Sequence, residues 1–188
     1  RICRDPGKVH DLLDKYMESK GFVVGAWLTS ADSCLISVKP INKFEELKGL
    51  KVWCSSNSTL VAEMKSFGCD PVNFDTGDLA VGLQQKTIDG AFTGTQLIAP
   101  QKLYEAAGYI LVPKEVSLGF NIQSLILSKI FVDSLPQDLR DILLKTIEQA
   151  GVDIHYKYAV PFAESTLKEI LDAGTVPYYV DEDFAAKA

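Results

Sequence analysis

Residues 50–92, LKVWCSSNSTLVAEMKSFGCDPVNFDTGDLAVGLQQKTIDGAF, decide the fold. An apolar stretch at 50–54 is followed by a helix-type segment at 58–68. A second strand-type stretch at 71–74 leads into a helix at 75–86, and a third strand follows at 87–92. The alternation continues with helix formers at 95–108 and the strand YILV at 109–112. Strands and helices that alternate over short connections build βαβ units, and βαβ units build a mostly parallel sheet covered by helices. Residues 44–117 therefore read as one α/β lobe.

The flanking segments have a different character. Residues 6–20 place Val9, Leu12, Leu13, Tyr16 and Met17 at helical spacing, with Gly21 as a stop signal. The strand-type stretches FVVGAWL and CLISV follow, up to a joint at Pro40 and Asn42, so residues 1–43 read as a partial first lobe with crossing strands. Beyond the α/β lobe, FNIQSLILS has the length and composition of a buried strand leading out of it. The stretch DSLPQDLRDILLKTIEQAG reads as a helix, with Asp133 or Ser134 as N-cap and an apolar face at Leu139, Ile142, Leu143 and Ile147. Pro161 is expected to kink or break the helical run, which resumes to a stop at Gly174 before a last strand, VPYYV. Residues 118–188 thus read as a crossing strand and C-terminal helices returning to the first lobe. With no βαβ core of their own, the two flanks look like half of a second lobe.

Composition excludes several classes. The chain has 188 residues, 47% hydrophobic and 23% charged, which is the balance of a folded globular protein. A net charge of −6 with scattered Lys and Arg argues against a nucleic-acid partner, because displacing counterions from a polyanion needs a cationic face. No apolar run reaches the length of a membrane span, and the start RICRDPGKVH lacks the order of a signal peptide, although a processed signal would leave no trace. Cys3, Cys34, Cys54 and Cys69 form no CxxC pair and have no histidine at zinc spacing, so neither a metal nor a disulfide is required of them.

In a parallel sheet the strand-to-helix turns share the carboxyl edge, where ligands of open α/β sheets bind. The three turns WCSSNST, FDTGDL and FTGTQL are rich in Ser, Thr, Asn and Gly. Such residues leave backbone N–H groups accessible and add hydroxyl and amide groups, which suits a small polar or anionic solute. The same residues are also the preferred helix N-caps, so capping alone explains any single turn. Trp53 at the end of the first strand is either a core residue or a wall for a ligand, with its indole N–H as donor. Enzymatic patterns are missing: His10 and His155 lie on helices away from these turns, and no GxSxG, GxxxxGK[ST] or HExxH occurs. No cofactor is implied.

The segments LKGLKVW, FGCDPVNF, LQQKTIDGAF and KLYEAAGYIL, followed by SKIFVDSLPQDLRDILLKTIEQAG, resemble in content and order the solute-binding proteins of tripartite ATP-independent periplasmic (TRAP) transporters. The resemblance implies a two-lobed, Venus-flytrap α/β fold with one lobe complete and the other partial. It implies a periplasmic, non-enzymatic protein that captures a small organic acid between lobes and delivers it to TRAP membrane subunits. The sequence departs from the family pattern at Trp53 and Ser33, where arginines are usual, and at Thr93-Gly94, where asparagine and proline are usual. Loss of that carboxylate clamp points to a less charged or partly apolar acid, or a neutral solute. On this reading Trp53 faces the cleft, surrounded by Ser55, Thr76, Thr93, Phe120 and Asn121. The alternative is a cytoplasmic α/β enzyme or an effector-sensing domain, since related two-lobed folds serve both.

Overall fold

The computed structural model describes residues 8–113, 120–180 and 182–187. It comprises two compact units, Arg1–Ser30 with Asn121–Pro161, and Ala31–Phe120 with Phe162–Ala188. These units divide the chain elsewhere than at the expected 43/44 and 117/118. The first strand, β1 (Phe22–Ser37), contributes its opening half to one unit and its closing half to the other. The C-terminal residues join the second unit because their strand, β7 (Val176–Val180), pairs in parallel with β5 (Tyr109–Pro113).

The second unit contains the alternation read from residues 50–92. Strands β2 (Lys51–Trp53), β3 (Asp70–Val72) and β4 (Gly90–Gly94) are parallel, and the sheet order is β3-β2-β4-β1-β5-β7. The sheet is mixed rather than mostly parallel, because β1 is inserted antiparallel between β4 and β5, with Ile36 opposite Ala91 and Ile110. Alternation along each strand sends neighbouring residues to opposite faces. Ile36, Trp53, Ala91 and Ile110 lie on one face, under α3 (Leu79–Gln84), α4 (Thr95–Ile98) and α7 (Val160–Asp172), which add Leu79, Leu83, Ile98 and Ile170. Leu35, Val52, Phe92 and Leu111 lie on the other, under α2 (Ser58–Ser66) and α8 (Glu182–Lys187), with Met64, Phe67 and Phe184. Each such fully buried aliphatic side chain contributes roughly 1.5–3 kcal/mol, so two apolar layers make this unit the stable body of the chain.

The dipeptide Asp89-Gly90 secures the amino edge of β4. The Asp89 carboxylate meets Lys39 Nζ at 2.7 Å and accepts from the Lys51 backbone N–H at 3.0 Å, while its carbonyl accepts from Val38 N–H at 2.9 Å. Asp89 thus ties the segment that follows β1 to β2 and to the start of β4. Burial alone would raise the Asp89 carboxyl; the Lys39 ion pair and the Lys51 N–H outweigh it and hold the group below its ordinary value of 3.8. A carboxyl depressed in the folded state stabilises above its unfolded value, and that contribution fades as the pH falls through the folded one. Asp89→Asn is therefore expected to cost about 1–2 kcal/mol at pH 7, with allowance for the exposed lysine partner. Urea titrations of the two proteins at a series of pH values should show the gap closing below about pH 3.8.

In the first unit, α1 (Lys8–Ser19) ends at Gly21, whose φ of +85° is a left-handed conformation that glycine adopts without strain. The Trp27 indole donates to Asp14 Oδ1 at 3.0 Å and joins this helix to β1. Strand β6 (Phe120–Ser128) pairs with β1 and is followed by α5 (Lys129–Ser134) and α6 (Gln137–Asp153). Neither Asp133 nor Ser134 caps α6: its N-cap position is Pro136, and both residues lie at the end of α5, which Ser128 caps. Helix α6 packs closely on β1: a Cβ on Gly25 would lie 2.5 Å from Ile147, and one on Gly151 would lie 2.6 Å from the Ala26 Cβ. Among the described residues of this unit only Ala26 and Val132 are buried hydrophobics, whereas Ile130 is 84% exposed and Leu12 and Ile142 are also exposed.

Pro161 does not break the helical run as expected. A π-helical segment, Ile154–Ala159, precedes it, and α7 continues from Val160. Val160 is already helical, with its N–H bonded back to His155 O, so Pro161 lies inside a continuing run, and the wider π turn just before it accommodates the missing N–H and the bulk of the ring.

Candidate functional site

The parallel course of β2, β3 and β4 brings their following turns to one edge of the second unit, with Trp53 in register with both Val72 and Ala91. Three hydrogen bonds fasten the first two turns together. Cys54 N–H donates to Val72 O at 3.2 Å, Asn73 Nδ2 to Cys54 O at 2.9 Å, and the Trp53 indole Nε1 to Phe74 O at 3.0 Å. Each turn is then closed by its own cap: Asn57 Oδ1 accepts from Thr59 N–H at 2.8 Å, and Asp75 Oδ1 from Gly77 N–H at 2.8 Å. The third turn is held by a contact between the Thr95 and Thr166 hydroxyls, 2.8 Å apart and both buried, which docks α7 on the end of β4.

The residues singled out in the sequence fall in different places. Trp53 is corrected: it is 4% exposed, packs in the apolar layer under α3, α4 and α7, and spends its N–H on Phe74. It is a core residue that orders the 73–75 turn, because the helices crossing this face cover the strand end completely. Ser55 and Thr76 are exposed on the first two turns. Thr93 is half-buried on the same sheet face as Ala91, opposite Cys34, one turn further toward the edge. These three share the edge. Phe120 and Asn121 begin β6, fall on either side of the division between units, and have side chains outside the described ones. Ser33, where the resemblance expects arginine, is buried opposite Gly94.

One residue of this edge escaped sequence reasoning. Gln96 folds its carboxamide back over Gly94, so that a Cβ on that glycine would collide with Gln96 Oε1, and this oxygen is buried without a hydrogen-bond partner. The signal for it was the glycine at 94, which the turn itself does not require: its φ of −83° is open to any residue.

The thiols near this edge are held in their protonated form. Cys34, Cys54 and Cys69 are buried, and Cys3 lies outside the described residues. Burial pushes the Cys54 thiol up, with Glu63 adding to it. Burial, then Asp70 and Cys54, push Cys69 up to about 11. Protonated thiols in an apolar layer are poor nucleophiles. Among the described residues no three His, Cys, Asp or Glu side chains gather to hold a metal ion, and no helix is long and apolar enough to cross a membrane.

A mixed, doubly covered α/β sheet with a polar, hydroxyl-rich carboxyl edge has the groups to hold a small polar molecule. The chain belongs to the bacterial extracellular solute-binding proteins, family 7, whose model matches residues 5–187. It is 26% identical over 173 residues to the C4-dicarboxylate-binding periplasmic protein of Rhodobacter capsulatus, covering 92% of this chain and 51% of that one. It is 27% identical over 149 residues to the 2,3-diketo-L-gulonate-binding periplasmic protein of Escherichia coli, covering 77% and 44%. Its fold matches that of a TRAP periplasmic solute-binding protein from a Sulfitobacter species with bound β-D-galacturonate, with a TM-score of 0.79 and 23% identity over 96% of this chain and 60% of the other. The chain spans about half the length of the curated relatives it matches. These relatives are named for binding solutes, not for turning them over.

Proposed function

We propose that this protein is a periplasmic solute-binding protein that captures a small organic acid and delivers it to the membrane subunits of a TRAP-type transporter. The observation that carries the reading is the shared edge: in a chain of family 7, three parallel strands end in turns that offer hydroxyl and amide groups along one edge of the sheet. Ser55, Thr76 and Thr93 are the candidate hydrogen-bonding side chains, and Phe120 and Asn121, at the start of β6, are candidates from the strand that leaves the unit. Trp53 contributes from below by fixing the 73–75 turn through Phe74. The acids named for the relatives, C4-dicarboxylates, 2,3-diketo-L-gulonate and galacturonate, define the range to screen.

A ligand that binds only the native state raises the melting temperature in proportion to the logarithm of its concentration above Kd. The purified protein is expected to show such a rise with at least one acid of this range, and chromatography of the mixture is expected to recover that acid unchanged. Thr93→Ala should then weaken binding about five- to tenfold, the worth of one hydrogen bond, with little change in the melting temperature of the free protein. Conversion of the acid, or a melting curve unmoved by every acid at millimolar concentration, would end the reading.

A further inference from the structure

We propose that Gln96 Oε1 accepts a hydrogen bond from a hydroxyl or N–H of the bound solute, so that the site prefers an acid carrying such donors over a plain dicarboxylate. The inference rests on the solute-capture reading and deepens it.

Two observations on the same carboxamide lead to Gln96. The first is its unpaired oxygen. Buried carbonyl oxygens nearly always have a partner, because leaving one desolvated and unpaired destabilises the fold, and Gln96 Oε1 is buried with none. The second is Gly94. Its backbone is extended and would accept any side chain, yet a Cβ there would strike the Gln96 carboxamide. The lack of a side chain at 94 leaves room for that one polar group, which lies against the end of β4 immediately beyond Thr93.

An acceptor held in this way selects by chemistry. At neutral pH a succinate dianion carries no hydrogen-bond donor, so burying it against Oε1 would set oxygen against oxygen. A hydroxy acid such as a hexuronate brings O–H groups that satisfy the carbonyl while its carboxylate is held elsewhere. A site with a buried polar group discriminates most strongly against ligands that leave that group unpaired. Thr93 Oγ1, able to donate or accept, does not discriminate in this way.

The test is isothermal titration of D-galacturonate and of succinate into the wild-type protein, Gln96→Met and Gly94→Ala, alongside the melting temperature of each free protein. Methionine keeps the length of glutamine and removes the acceptor; alanine at 94 displaces the carboxamide and leaves glutamine in place. The wild type is expected to bind galacturonate at least tenfold more tightly than succinate, and in both variants that preference should fall about tenfold through weaker galacturonate binding. Free Gln96→Met should melt at or above the wild-type temperature, since an unpaired buried acceptor has been removed. A lower melting temperature for free Gln96→Met would mean that the oxygen has a partner within the protein, and the proposal fails. An unchanged preference in the variants, or a wild type that favours succinate, overturns it while leaving solute capture intact. A wild type that binds neither acid overturns this inference, whereas solute capture itself falls only if the wider screen also fails.

Discussion

Trp53→Ala is expected to destabilise the second unit by about 3–5 kcal/mol, the usual cost of truncating a large buried aromatic. The indole is 4% exposed and packs with Ile36, Leu79, Leu83 and Ala91, so alanine leaves a cavity beneath three helices. It also strips Phe74 O of the N–H that holds the 73–75 turn. Trp53→Phe separates the two effects: the ring remains, the N–H is lost, and a cost of about 1–3 kcal/mol is expected for the carbonyl left unpaired. Because Trp27 also fluoresces, unfolding is best followed by circular dichroism, with hydrogen exchange of the β2 and β4 amides as the local readout. An alanine variant as stable as the wild type would show that this side chain does not belong to the core.

Gly90→Ala is expected to cost about 2–3 kcal/mol, although it adds a single methyl group. That methyl would lie 2.7 Å from the backbone carbonyl of Ile36 and 3.1 Å from Leu35 Cδ1. A carbonyl fixed in the β1–β4 ladder has no room to yield, so the pairing of Ser37 with Gly90 must open. Gly108→Ala supplies the contrast. Nothing lies within 4 Å of its Cβ position and its φ is not left-handed, so the substitution should be neutral or stabilising by about 0.4–1 kcal/mol through the unfolded chain. Equal effects at the two positions would contradict the close approach at Gly90.

The βαβ alternation at 50–92 was legible because it is local: hydrophobic period, helix stops and turn residues are properties of a few neighbours. The insertion of β1 between β4 and β5 was not, since the pairing of residues 33–37 with 90–94 depends on contacts more than fifty positions apart. The TIDGAF stretch was visible in the sequence, but not what its residues do here: the Asp89 ion pair and hydrogen bonds and the space denied at Gly90. At the candidate site the convergence of the three turns followed from parallel order alone. The orientation of Trp53 did not, because alternation offers a strand residue two faces and only the packed helices decide what covers each.

By itself the sequence determined the class of fold, the family and the polar character of the strand-to-helix turns, all of which reside in residue type and order. Tertiary structure alone decided which side chains that edge offers. It took Trp53 into the core, left Ser55 and Thr76 in solvent, and placed a buried carbonyl of Gln96 against Gly94. The physical reason is that exposure and hydrogen-bond satisfaction are set by neighbours distant in the chain, and no local pattern encodes them.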